Sequence, residues 1–305
     1  MGPGNNAIGL SKLIFMKKVI LFICFIFFIS ATYSQDKPLN IIVFGAHPDD
    51  CDIDAGGTAL LFSEMGHNVM FVSLTNGDAG HHSLGGGELA RTRIKEAEEA
   101  AKRFGVKYTV MNNHDGELMP TLENRLNVIR AIRAWNADIV IAPRPNDYHP
   151  DHRYTGVLVQ DAAYMVIVPN IAADTPPLKK NPVFLYSHDR FKKPAPFVPD
   201  ISVVIDAVFE KKIYAMAAHE SQFFEWLPWT QGSLDEIPKD EKSRLEMLAK
   251  WRYAPLTNVM KESLKKWYGD EGAKAKHAEG FQICEYGKQP TDEEIMKLFP
   301  MLGNY

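Results

Sequence analysis

Asn40-Ile41-Ile42-Val43-Phe44-Gly45-Ala46-His47-Pro48-Asp49-Asp50 decides how this chain folds. An apolar, strand-like run leads straight into a proline-stiffened turn that carries an imidazole and two carboxyl groups. The phrase has a counterpart further on, where Asp138-Ile139-Val140-Ile141-Ala142-Pro143 is followed by His149-Pro150-Asp151-His152. Strand patterns alternate with helix patterns from residue 40 to about 190, which implies βαβ units and an α/β fold with a mostly parallel sheet. In such a sheet the carboxyl ends of the strands share one edge, and ligands bind in the crevice there. The two turns are therefore expected to meet.

Working outward, strands are expected at 40–46, 68–74, 107–111, 138–142 and 182–186. The small residues Ala55-Gly56-Gly57-Thr58 open a helix that ends near Gly66 and packs closely on the sheet. A charged amphipathic helix runs from Glu88 to Phe104, with Gly105 as its C-terminal stop. Thr121 caps a helix that runs to about Asn136, and another helix covers Tyr154 to about Val166. Beyond these, helices are expected at Asp206–His219, Asp235–Trp251 and Val259–Trp267, forming a helical C-terminal extension packed on the same core.

The 305 residues are 46% hydrophobic and carry a formal charge of −4. This near-neutral globular composition, with no long Lys/Arg run, excludes nucleic acid or an anionic membrane as the expected partner. Residues 1–35 read as an upstream segment and a signal peptide. Met16-Lys17-Lys18 precedes an apolar run from Val19 to Ile29, and small and polar residues follow to Gln35. That run is too short for a stable membrane anchor, and Cys24 inside it is poorly placed for lipid attachment. The expectation is an exported protein of a bacterial periplasm or outer surface, with residues 36–305 as one domain. Two cysteines, Cys51 and Cys284, would remain after cleavage; the sequence leaves open whether they pair.

His47, Asp50 and His152 form the best trio for a divalent metal, two imidazoles and a carboxylate with room for a water. Zinc is the first choice, and Fe2+ or another divalent ion has overlapping ligand preferences. A water on such an ion becomes acidic near neutral pH. Asp49 is placed to take its proton and later deliver it to a leaving group. His149, steadied by Asp151, would donate to a developing oxyanion. His114 and Asp115 follow the third strand and stand as lining candidates. His188 and Asp189 follow the fifth and read equally well as solvent-exposed. His81 and His82 read as loop residues at the mouth.

Ala46-His47-Pro48-Asp49-Asp50 joined to His149-Pro150-Asp151-His152 resembles the LmbE-like / PIG-L family of zinc-dependent N-deacetylases. Arg93-Ile94-Lys95-Glu96, Ala218-His219-Glu220-Ser221-Gln222 and Ala278-Glu279-Gly280-Phe281 resemble further family segments. The resemblance implies a Rossmann-like α/β fold, a mostly parallel sheet flanked by helices, and removal of acetyl from an N-acetylated amino sugar, often N-acetylglucosamine in a conjugate. It also implies His47, Asp50 and His152 as ligands, Asp49 as general base, His149 with Asp151 at the oxyanion, and Arg93 against substrate. An intrahelical pair of Arg93 with Glu96 is the other reading of that spacing. His219 either closes over the site or packs its own helix. Cys51 departs from the family, which commonly carries an acidic residue there.

The expected partner is a small-molecule or glycan substrate met outside the cell, and a homo-oligomer is left open. Two rivals stand beside the hydrolase: a non-catalytic glycan-binding protein that keeps a metal clamp, and a non-haem iron oxygenase with a two-histidine, one-carboxylate triad. The run Phe223-Phe224-Glu225-Trp226-Leu227-Pro228-Trp229 is read as a sugar platform or as core.

Overall fold

Strand β1 (Asn40–Gly45) is the hinge of the architecture. From it the chain steps through helix α1 (Asp50–Glu64) to β2 (Asn68–Thr75), then through α2 (Gly86–Phe104) to β3 (Lys107–Asn113). It then returns through α3 (Leu122–Trp135) to the other side of β1, where β4 (Ile139–Ala142), α4 (Pro150–Met165) and β5 (Val183–Ser187) follow. With β6 (Ile201–Val204) and β7 (Ala278–Gly287) from the C-terminal part, the sheet order is β3-β2-β1-β4-β5-β7-β6. Its first five strands pair in parallel, with Ile41 beside Ile139 and Val43 beside Ile141. The direction of chain travel thus reverses between β1 and β4, and the crevice of a doubly wound sheet opens at that switch. Both motif turns leave from it.

The structure, a computed structural model, describes residues 37–303. The expected signal peptide and Cys24 lie outside them. Among the described residues no helix is long and apolar enough to cross a membrane.

Alternation along β1 divides the core. Ile41 and Val43 join Phe62, Phe71 and Phe104 on one face; Ile42 and Phe44 join Val128, Ile132 and Leu158 on the other. The small residues of α1 serve close packing as expected, because a Cβ at Gly57 would stand 2.8 Å from Ile205. Thr121 caps α3 by accepting from the Asn124 amide, and Gly105 ends α2 at φ 68°.

The C-terminal part departs from the expected helices alone. It also contains β6 (Ile201–Val204) and β7 (Ala278–Gly287), and β7 runs antiparallel between β5 and β6. The helix expected over Asp206–His219 is a 3-10 turn followed by α5 (Phe209–Met216). A π-helical turn, Ser221–Trp226, leads into the short α6 (Leu227–Thr230). The helix expected from Asp235 starts later, as α7 (Glu241–Arg252), because Pro238 interrupts it and Asp240 caps it through the Ser243 amide. Helices α8 (Asn258–Tyr268) and α9 (Asp292–Leu298) complete the chain.

An ion pair ties this last part to α1. Lys212 and Glu279 are both buried and 2.6 Å apart. Glu279 accepts from the amides of Gly57 and Thr58 at 2.8 and 2.7 Å, and Lys212 donates to the Ile53 carbonyl at 2.6 Å. A buried pair is tolerable when its remaining donors and acceptors are satisfied in this way.

Candidate metal centre and active site

Both helices that carry the site start earlier than their apolar patterns suggest. Helix α1 starts at Asp50, and the Asp50 carboxylate accepts from the Ala46 and His47 amides at 2.8 Å each. Helix α4 starts at Pro150, a residue suited to a first turn because it has no N–H to satisfy, with His149 as its cap. Starting the helices at the motifs fixes the motif side chains on rigid elements.

His47 Nδ1, Asp50 Oδ2 and His152 Nε2 converge. The histidine nitrogens are 3.2 Å apart, and the carboxylate oxygen is 3.5 Å from His47 and 3.4 Å from His152. Ligand bonds of 2.0–2.2 Å in a tetrahedral shell separate donor atoms by about 3.3–3.5 Å, so the three atoms are already spaced for one small divalent cation. Two looser groupings overlap this one: His47, His149 and His152, and His47, Asp115, His149 and Asp151, each with donor atoms within 4.8 Å. The trio with Asp50 fits best, because the ring nitrogens turned away from it are the ones engaged by other carboxylates. His47 Nε2 lies 3.0 Å from Asp115 and 3.2 Å from Asp151, and His152 Nδ1 lies 3.3 Å from Asp147. Such outer carboxylates fix the tautomer and orientation of ligating histidines.

The electrostatics also favour a cation. Burial alone would lower the His47 and His152 pKa values. Asp115, Asp151 and Asp50 outweigh it at His47, and Asp50 and Asp147 do so at His152, which is raised to about 9. Asp50 is held below the usual carboxylate range: burial opposes this, but His152 and His47 prevail.

Asp49 is different. It is 2% exposed, its backbone is strained at φ 154°, and its carboxyl group has no hydrogen bond among the described residues. Strained backbone of this kind collects at functional sites. Burial, and then the charge of Asp50, raise its pKa to about 6. His149 accepts from the Asp151 amide at Nδ1, 3.2 Å away, which assigns the proton to Nε2. Burial and the neighbouring His47 and His152 lower its pKa, which favours the neutral ring. Its ring centroid is 4.7 Å from that of His47.

Several placements differ from those expected. The Asp151 side chain holds His47, not His149; it also accepts from Gly116 and Leu118 amides at 2.7 and 3.2 Å. His219 does not close over the site. It is fully buried and bonded to Asp52 at 2.9 Å, and Tyr108 takes the other Asp52 oxygen. Arg93 is buried and donates to the Gly80 carbonyl at 2.8 Å, while Glu96 takes the Ser221 amide and hydroxyl instead of Arg93. Cys51 and Cys284 are free and buried, and the Cys51 thiol donates to the Val43 carbonyl. Phe223 and Phe224 are core; Trp229 is half exposed and stacks with Trp226 and His82.

A cavity of about 360 Å³ opens beside His47, Asp49, Asp50 and His152. Its remaining wall holds residues without a sequence signal, among them Asp54, Arg144, Asp147, Tyr148, Arg190 and Arg252. Asp54 accepts from the Ser187 hydroxyl at 2.8 Å, and burial and then Asp50 raise its pKa to about 7. His188 and Asp189 line the same wall, with Asp189 engaged by Arg144. Arg93, His149 and His219 do not line it.

A switch-point crevice with two imidazoles, one carboxylate and outer carboxylates behind them defines a class of α/β protein able to hold a divalent cation. The sequence profile of the PIG-L family (GlcNAc-PI de-N-acetylase) matches residues 42–163. A diacetylchitobiose deacetylase of Thermococcus kodakarensis is 36% identical over 215 residues, 65% of this chain and 77% of that protein. A probable N-acetyl-alpha-D-glucosaminyl L-malate deacetylase 2 of Bacillus anthracis is 26% identical, over 60% of this chain and 81% of its own length. The solved N,N'-diacetylchitobiose deacetylase from Pyrococcus horikoshii, in complex with its inhibitor MPG, superposes with a TM-score of 0.60 at 29% identity, covering 80% of this chain and 83% of that one. The chain belongs to the PIG-L (LmbE-like) family of deacetylases of N-acetylated sugars.

Proposed function

We propose that this protein is a hydrolase that removes acetyl from an N-acetylated amino sugar or glycoconjugate, with Zn2+, or another divalent ion such as Fe2+, held by His47, Asp50 and His152. The observation that carries this reading is the triangle of 3.2, 3.4 and 3.5 Å among their donor atoms. When bound, the ion would acidify a water and polarise the acetyl carbonyl. Asp49, buried and without a hydrogen-bond partner among the described residues, takes the proton of that water and returns it to the departing amine. The Nε2–H of His149 donates to the carbonyl oxygen as negative charge develops there. Asp115, Asp151 and Asp147 hold the ligand rings in place. Arg93 acts from behind, through the Gly80 loop, since its guanidinium is committed to the Gly80 carbonyl. Residues 36–305 would act as one domain in an exported protein that meets its glycan outside the cytoplasm.

Acetate and free amine released from N,N'-diacetylchitobiose and related N-acetyl sugars by the zinc-loaded chain from Asp36 onward test the reading. Equal amounts of both products, abolished in Asp49→Asn, are expected. Glycan binding without release in the wild type would make it a binding protein, and oxygen consumption during turnover would make it an oxygenase.

A further inference from the structure

Nearly every charged group on the cavity wall has a partner. His47, Asp50 and His152 face one another, Asp147 holds His152, and Asp54 holds Ser187. Arg144 is clamped by Asp189 through two bonds of 2.5 and 2.6 Å. Asp49 is the unpaired acid, and its freedom has a use in proton transfer. Two cations are left. Arg190, in the loop after β5, and Arg252, at the end of α7, both line the cavity, and neither guanidinium has a hydrogen bond or ion pair among the described residues.

Both residues are solvent-exposed, so their guanidinium groups are open to a ligand entering the cavity. Desolvation lowers the pKa of Arg252, and Arg190 adds to the lowering; the attraction of Asp54, Asp49 and Asp50 acts the other way. Of these carboxylates, Asp54 is engaged by Ser187 and Asp50 by the His47 and His152 rings, while Asp49 has no hydrogen bond among the described residues. A planar fork of donors is suited to a carboxylate or phosphate, which it binds through paired, charge-assisted hydrogen bonds. The cavity volume of about 360 Å³ is in the range of small-ligand sites, roughly 300–1,000 Å³.

We propose that the substrate is an acidic N-acetyl amino sugar, whose carboxylate or phosphate seats on Arg190 and Arg252 while its acetamide lies at the metal centre. This rests on the deacetylase reading and narrows its substrate class. The contrary view is that Arg252 only balances cavity acids and Arg190 is only solvated. In that case, removing either charge would affect neutral and acidic sugars alike.

The test uses the zinc-loaded chain from Asp36 onward with two neutral substrates, N-acetylglucosamine and N,N'-diacetylchitobiose, and two acidic ones, N-acetylglucosamine 6-phosphate and N-acetylmuramic acid. The wild type is expected to favour one acidic sugar in kcat/KM. Arg190→Gln and Arg252→Gln are each expected to raise KM for that sugar about tenfold more than for the neutral ones, the scale of one charged hydrogen bond, with Arg252→Lys recovering part of the loss. The phosphate and carboxylate arms tell which acid the site takes. A wild type that favours the neutral sugars, or variants that shift both classes equally, would overturn the proposal. Calorimetric binding of the same four sugars to Asp49→Asn protein separates this from failure of the chemistry. Acidic binding that weakens in the arginine variants supports the seat even if no sugar is hydrolysed. Equal affinity for neutral and acidic sugars rejects the seat even if hydrolysis is found.

Discussion

Asp49 and Asp151 hold the same place in two near-identical phrases, the residue after His-Pro, and they have opposite fates. The Asp151 carboxylate accepts from the Gly116 and Leu118 amides and from His47, and its pKa falls: burial opposes this, but His47 and the Gly116 amide prevail. The Asp49 carboxylate has no hydrogen bond among the described residues, and its pKa rises to about 6. The cause is where each helix begins. Helix α4 starts at Pro150 and carries Asp151 inside its first turn, aimed at the loop after β3, whereas α1 starts at Asp50 and leaves Asp49 outside on strained backbone. A carboxylate with several donors is a fixed strut. A carboxylate buried without donors can exchange a proton near neutral pH.

The sharpest way to break this contrast is Asp49→Asn. Loss of the general base is expected to lower kcat by about 10²–10⁴-fold, with zinc content and melting temperature retained; steady-state kinetics beside metal analysis would show it. A variant that stays active would return Asp49 to a structural role. Asp151→Asn should do the reverse, weakening zinc binding about 10–100-fold through loss of the His47 orienter. Competition with a chelator would measure that, and the melting temperature should fall because two backbone amides lose a charged acceptor. Unchanged zinc affinity would mean that Asp115 alone orients His47. The smallest effect is expected at Asp54, which has one hydroxyl partner and a pKa raised from 3.8 to about 7. Because the folded state holds this proton more tightly than the unfolded chain, the associated stability is full below about pH 4 and is lost as pH rises through about 7. In metal-free protein, Asp54→Asn should therefore gain in melting temperature over wild type by several degrees between pH 4 and pH 7, with no further gain above. Parallel pH profiles for the two proteins would show that Asp54 is not desolvated in this way.

The site's location was legible because two apolar runs each end in a His-Pro turn, and adjacent parallel strands bring such ends together. The orienters were not. Asp151 and His149 are neighbours in sequence, but residues two apart on a helical turn face different ways, so Asp151 found its partner 104 residues earlier. Arg93 and Glu96 have the spacing of an ion pair, yet Ser221 offers Glu96 both an amide and a hydroxyl. Strand β6 is a mostly apolar run only four residues long, and β7 is interrupted by Glu279, Gln282 and Glu285, so neither stands out as a strand. Glu279 is buried there because Lys212 and two amides of α1 receive it. Arg190 and Arg252 belong to no motif, and their shared wall is a product of the fold alone.

The Lys212–Glu279 pair also sets an order of completion during synthesis. Every candidate ligand, His47, Asp50 and His152, has been made by the time the chain reaches its midpoint, whereas the acceptor for the Gly57 and Thr58 amides arrives with Ala278–Gly287. A nascent or truncated chain that ends before this strand contains all the metal-binding chemistry but lacks the brace on the helix that presents Asp50. Completion of the scaffold behind the candidate ligands is in this way tied to the arrival of the penultimate element.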